Sequence, residues 1–335
     1  MACPETLKPL LDDWVRRYKT TDFIPLDPIR FAHRYAHCRL TCESVALISA
    51  LFSYGQRPLI LSTLEGLFAK MEGDPLGYIQ QFNAKREQKR WADFVYRFNT
   101  GADVVWLIGR LQQVLLHYGS LENAVAETLR QAHPTPWPPG SPWPTNLKTA
   151  KNARTDDLPA AKCFAVVQAL SDCLLNAARP GDNHPPHMAA LTYGQRYLVP
   201  QPAKGGACKR LLMFLRWMVR QEAGETQAAQ RVDLGLWQHV LTPAELAVPL
   251  DTHVAQQGRA LGIVTRQSND WKTVLQLTDF FRRLDPQDPV RHAFSQCLEW
   301  AFPNTGKRRD PGRESRYNGA DIAVYDVLFT FLFFV

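Results

Sequence analysis

The chain has 335 residues, 45% apolar and 21% charged, enough for one large domain or two small ones around a buried core. Aromatic residues at 11% exclude disorder over most of the length, and 19 glycines with 24 prolines exclude collagen-like and low-complexity classes. Its 39 Lys and Arg against 32 Asp and Glu give a net charge of +7, which favours polyanionic partners such as nucleic acid or an anionic membrane surface.

The opening segment, MACPETLKPLLDDWVRRYK, sets Asp12, Asp13, Arg16 and Arg17 where a secretory signal needs an uninterrupted apolar run, so a cytoplasmic protein is expected. Seven dispersed cysteines, Cys3, Cys38, Cys42, Cys163, Cys173, Cys208 and Cys297, suit reduced buried thiols. No CxxC pair or clustered His completes a zinc or iron–sulfur ligand set, and neither a metal nor a cofactor is expected.

Helical spacing dominates and sustained two-residue alternation is missing, so the expected class is all-α. A first amphipathic helix covers about residues 5–19, and the Pro-punctuated TTDFIPLDPIRFAHRY then runs extended over the surface. Val45, Ile48, Phe52 and then Ile60, Leu64, Leu67 and Phe68 recur at helical intervals around a loop at Tyr54-Gly55-Gln56-Arg57-Pro58. A helix near 74–83 precedes the aromatic RWADFVYRFNT, and a longer one carrying Val105, Ile108, Leu111 and Leu115 ends at Gly119. The six prolines of PTPWPPGSPWP mark an insertion or linker, after which a helix resumes over about 159–178. RPGDNHPPHM is a loop. Farther on, Asp251, Ser268 and Asp288-Pro289 punctuate three helix starts, and the apolar end from Val327 is nine residues, too short to span a bilayer.

Two segments carry candidate chemistry. In Lys204-Gly205-Gly206-Ala207-Cys208-Lys209-Arg210 the glycines permit a tight turn whose free amides, with the helix dipole behind them, form an anion site. An ordinary turn into a buried helix accounts for the same residues. On the helix that follows, Lys209, Arg216 and Arg220 fall within about 40° of one another while apolar residues cover most of the remaining circumference. Such a basic stripe is also what a solvated face looks like. Lys209 lies in the first turn, where the dipole opposes a cation, as nucleophilic amine chemistry requires. The second segment is Pro249-Leu250-Asp251-Thr252-His253-Val254, in which Asp251 is most simply an N-cap yet is also a carboxylate able to face developing positive charge or activate water. His253 points elsewhere and is read as structural.

At these residues the sequence resembles the helix-hairpin-helix base-excision DNA glycosylases. Gly205-Gly206-Ala207 resembles their hairpin turn, Lys209 stands at the lysine of the bifunctional members, and Leu250-Asp251-Thr252-His253-Val254 resembles their aspartate motif. ALISALFSYGQRPLILSTLEGLF resembles their early helix-loop-helix, with Tyr54-Gly55-Gln56 at the loop nearest the damaged strand. A bacterial family of unknown function is closer still, similar across most of residues 10–300, notably in YKTTDFIPLDPI, PAKGGACKRLLMFLRWMVR, VDLGLW and PLDTHVA. In three respects the chain departs from the glycosylases: Ala207 replaces a third glycine, Lys209 and Asp251 stand 42 residues apart so that RVDLGLWQHVLTPAEL must be an added excursion, and the cluster cysteines are absent.

The resemblance implies a two-lobed helix-hairpin-helix fold with a Pro-rich insertion at about 131–158. The central lobe would be 43–220, and 1–42 plus 221–335 would form the second from both termini. It implies a DNA glycosylase with AP lyase activity, in which Lys209 forms a Schiff base with the sugar and Asp251 assists. DNA contacts are then expected from Lys204, Gly205, Gly206, Ala207, Arg210, Arg216, Arg220, Gln56 and Arg57. Tyr54, Trp217 and Trp237, with Trp91, Phe94 and Tyr96, become candidates for stacking on the flipped base. The partner is damaged or modified DNA, with no membrane association. The expected molecule is a bacterial, nucleoid-associated monomer. Two other classes fit the residues: a non-catalytic protein binding DNA or RNA structure through the same fold, and an unrelated hydrolase using Asp251 and His253.

Overall fold

A computed structural model describes residues 4–132, 158–176, 191–221, 231–237 and 239–292. Among them the chain is mostly helical. In order come α1 (Pro4–Tyr18), a 3-10 turn (Thr21–Leu26), α2 (Ile29–His33), α3 (Arg39–Leu51), α4 (Arg57–Ala69), α5 (Pro75–Gln80) and α6 (Ala84–Glu87). A hairpin of two short strands, β1 (Val95–Tyr96) and β2 (Asn99–Thr100), leads into α7 (Gly101–Tyr118) and α8 (Leu121–Ala132). Then follow α9 (Leu158–Leu175), α10 (Tyr193–Leu198), α11 (Lys209–Val219), α12 (Thr252–Ala260) and α13 (Trp271–Leu284).

Local chemistry explains the boundaries. Asp74, Asp251 and Asp270 each accept an amide two or three positions into the helix they start, at 3.0 Å from Gly77, 2.8 Å from Val254 and 3.0 Å from Thr273. α7 ends at Gly119, whose φ of 74° is the left-handed stop that glycine supplies. Along α13, Trp271, Val274, Leu277, Phe281 and Leu284 are buried at helical spacing.

α3 is the centre of the molecule. Every residue from Thr41 to Leu51 is buried, and α2, α5 and α11 pack around it. Its Glu43 carboxylate, fully enclosed, accepts from the Leu121 amide at 2.8 Å and from the Trp237 indole at 3.0 Å, joining α3 to α8 and to the approach to the site. α1 packs against α13, and buried apolar side chains from Leu11 to Val290 form one continuous cluster.

The structure corrects several expectations. TTDFIPLDPIRFAHRY is not extended: Pro25 lies inside the 3-10 turn and Pro28 stands at the N-cap of α2, because a φ fixed near −65° suits a helical start as well as a surface run. RWADFVYRFNT holds the hairpin, whose strands are too short for alternation to register. Asp270, and not Ser268, caps α13, while the Ser268 carbonyl accepts the Thr273 hydroxyl. The core of the Pro-rich insertion, the loop at 179–188, the connector at 222–230 and the C-terminal tail lie outside the described residues, as do Cys3 and Cys297. Cys38 is half-buried, and Cys42, Cys163, Cys173 and Cys208 are buried free thiols.

At the start of α7, a Cβ on Gly101 would stand 1.7 Å from the Trp91 carbonyl oxygen. Since both the backbone and the fully buried Trp91 would have to move, Gly101→Ala is expected to destabilise the fold by about 1–3 kcal/mol or more, read from urea unfolding midpoints.

Candidate active site

Lys209 is the first residue of α11 and Asp251 the N-cap of α12, so two helix N-termini deliver an amine and a carboxylate to one place. The Lys209 Nζ is 3.9 Å from Asp251 Oδ2, with the side chains 31% and 23% exposed. Asp251 Oδ1 is taken by the Val254 amide, leaving the second oxygen directed at the lysine. The pair is thus held at ionic but not hydrogen-bonding distance, open to solvent on one side.

The turn before α11 is built for close approach. Gly205 has a φ of 85°, and Lys204, Gly205 and Gly206 are all exposed. The Gly205 carbonyl accepts from the Trp271 amide at 3.2 Å and Gly206 bridges to Asp270, which docks the turn on the first residues of α13. Ala207 is half-buried and Cys208 buried, and burial pushes the Cys208 thiol up to about 12, removing it as a competing nucleophile.

At the far end of α11 the segment around Leu234–Trp237 returns to the helix. Leu234 and Gly235 donate to the Trp217 carbonyl at 2.8 and 3.1 Å, and Trp237 donates to the Met218 carbonyl at 2.7 Å, satisfying the end of the helix. The Val248 amide then bonds the Thr278 hydroxyl at 3.0 Å, fixing the strand-like approach to Asp251.

Several expected contacts lie elsewhere. Arg216 and Arg220 do share a face of α11, but that face is interior. Arg220 bonds Asp233 at 3.0 Å and Asp288 at 2.7 Å, Arg216 stands 3.4 Å from Asp233, and Lys19 bonds the same carboxylate at 3.1 Å. These arginines therefore tie segments together and present no surface to a strand. Arg210 is buried as well. Its guanidinium sits between the Tyr54 and Tyr197 rings, 5.0 and 4.8 Å from their centroids, and donates to the carbonyls of Leu51 and Tyr197. Trp237 and Trp91 are fully enclosed, and Trp217 is buried, so these three rings are core. Tyr54 is half-buried with its hydroxyl bonded to Asn99 at 2.5 Å. Gln56 and Arg57 remain exposed at the start of α4, and His253 is exposed on α12 without joining the pair.

Asp27 is a further charged group here that the sequence reading passed over. It is half-buried, its Oδ1 accepts the Ile29 amide at 3.0 Å, and Lys209, Arg57 and Arg216 act on it electrostatically. Desolvation raises its pKa and outweighs the Ile29 amide and those three cations, which lower it. A lone Asp between prolines in PLDPI reads as a turn residue. Only its position beside a cation-bearing helix distinguishes it. Among the described residues no three His, Cys, Asp or Glu side chains gather as a metal site, and no helix is long and apolar enough to cross a membrane.

An acid whose folded pKa is raised binds its proton more tightly in the native state. Stability is therefore lost as pH climbs from the unfolded value, about 3.9, through the higher folded one. Asn mimics the protonated form, so Asp27→Asn should melt like the parent at pH 4 and a few degrees higher at pH 7 by calorimetry. Equal melting at both pH values would show that Asp27 carries no such burden.

No curated protein and no solved structure matches the chain. A family model does match it, over residues 27–298, a span that contains Asp27, Lys209 and Asp251. On that match the chain belongs to the family described as protein of unknown function (DUF2400).

Proposed function

We propose that this chain is a DNA glycosylase with lyase activity, using Lys209 as nucleophile. The observation that carries the reading is the 3.9 Å approach of the Lys209 amine to the Asp251 carboxylate at two helix starts, beside an exposed diglycine turn. The Lys204 and Gly205 amides are bonded to the Gln201 and Pro202 carbonyls, so the grip on a backbone phosphate would fall to the Gly206 end of the turn, while a nucleotide rotated out of the duplex presents C1′ to the amine. The neutral amine forms a bond to C1′ as the glycosidic bond breaks and its electron pair leaves with the base, which takes up a proton. Opening of the sugar ring then yields the iminium, and loss of a C2′ proton expels the 3′ phosphate. Asp251, anchored through one oxygen, would stabilise positive charge at C1′ through the other. Asp27, a desolvated carboxyl on which Lys209 acts electrostatically from beyond ion-pair distance, would take the ammonium's proton through an intervening water.

Arg216 and Arg220 being interior narrows the expected nucleic-acid surface to the glycine turn and the start of α4. Binding would then involve few phosphates and show a shallow salt slope. The test is reductive trapping. With a duplex containing an abasic site, borohydride should give a covalent adduct that Lys209→Ala abolishes, while duplex binding by filter assay falls by less than about tenfold. Asp251→Asn should slow adduct formation by about 100-fold or more. Salt-sensitive binding without any adduct across a panel of lesions would leave a non-catalytic nucleic-acid-binding protein. Small-molecule turnover without nucleic-acid affinity would leave the hydrolase.

A further inference from the structure

The Arg97–Phe98 turn of the hairpin stands out for its backbone and for what it exposes. Arg97 has a φ of 52°, a left-handed conformation that strains any residue other than glycine. It packs on the Tyr54–Gln56 loop, where Gly55 takes a φ of 102° that favours glycine and a Cβ would stand 3.2 Å from the Arg97 guanidinium and 3.3 Å from the Tyr96 hydroxyl. Beside this locked turn, large apolar side chains face solvent. Val95 is 72% exposed, Phe98 45% and Tyr193 61%.

These rings belong to a continuous series that starts at the buried Arg210. Arg210, one residue along from Lys209, lies against Tyr197, and Tyr197 meets Phe98 at 4.8 Å and Tyr193 at 6.2 Å with planes only 24° apart. Phe98 and Tyr193 meet edge to face at 5.8 Å. The inner end is saturated, since Tyr54 is bonded to Asn99 and covered by Arg210; at the outer end Tyr193 lays one face on Tyr197 and Arg97 lies over Phe98, yet both rings stay open to solvent. A polar node keeps the two halves rigid. Asn99 donates to the Gly194 carbonyl at 2.9 Å, and Asp103 accepts from the Thr100 amide at 2.9 Å and the Thr192 hydroxyl at 3.0 Å.

The charge around the rings selects the occupant. The Arg97 guanidinium lies 5.7 Å from the Phe98 centroid, and Arg196 is exposed on α10, the helix that carries Tyr193, so the edge of the rings is cationic. Flat aromatic faces edged by arginine match the bases of a strand whose phosphates are anionic. We propose that Phe98 and Tyr193 form a stacking platform for an unpaired nucleobase, positioned by the Arg97 turn. This deepens, and in its repair context rests on, the nucleic-acid reading above.

The full-length protein is titrated with fluorescein-labelled oligo-dT of about 20 nucleotides and with a fully paired duplex, each over a salt series. Phe98→Ala and Tyr193→Ala should each weaken oligo-dT binding by about tenfold while duplex affinity changes by less than about twofold. The salt slope should stay unchanged, because no phosphate contact is lost, and Phe98→Trp should retain parental affinity. Failure of the parent to bind oligo-dT, or alanine variants that bind it within about twofold of the parent, would overturn the platform. Equal losses on oligo-dT and duplex, or a smaller salt slope, would overturn it too. The trapping assay judges the chemistry separately. No adduct, with oligo-dT binding that depends on both rings, would discard the lyase and keep the platform; an adduct with indifferent rings would do the reverse.

Discussion

One carboxylate organises the interior. Asp233 gathers Lys19 from the segment after α1, and Arg216 and Arg220 from the far end of α11, all within 3.4 Å, while Asp288 takes the remaining side of Arg220 at 2.7 Å. Three cations and two carboxylates buried together are tolerable only when each is matched, and losing one partner typically costs about 3–5 kcal/mol. That constraint ties α11 to the segment after α1 and to those around Asp233 and Asp288. Of its residues only Lys209 and Met213 keep partial access to solvent. The lysine is therefore set by a helix that has no freedom to shift.

The helix geometry then separates two neighbours. Lys209 turns toward Asp251 and solvent, whereas Arg210, about 100° farther around the helix, turns inward between Tyr54 and Tyr197 and ends α3 by bonding the Leu51 carbonyl. One cation faces solvent beside a carboxylate and the other is structural, although they are adjacent in the chain and alike in charge.

What the amino-acid sequence made legible was local. The glycine turn, the start of α11 and the cap at Asp251 each depend on residues within one turn of one another, and the structure has them where the sequence put them. What failed to show was set by partners far along the chain. The stripe of Arg216 and Arg220 reads as a surface until Asp233 and Lys19 are known to cover it. Trp217 and Trp237 read as stacking candidates, though each more simply as core, and core is what they are: Glu43 and Phe214 enclose Trp237 and the helix packing encloses Trp217. The hairpin was silent because strands of two residues hold no periodicity, and Asp27 because its significance comes from Lys209, which lies far away in sequence.

The two halves of the site lean on one common support. The glycine turn is bonded to the first residues of α13 through Gly205 and Trp271, and the run leading to Asp251 is bonded to the middle of the same helix through Val248 and Thr278. These anchor points are separated by about 10 Å along the axis, at 1.5 Å per residue. α13 thus serves as a ruler: the gap between the Lys209 amine and the Asp251 carboxylate is measured out on a rigid rod apart from both, and a bend in that rod would detune the spacing without touching either group.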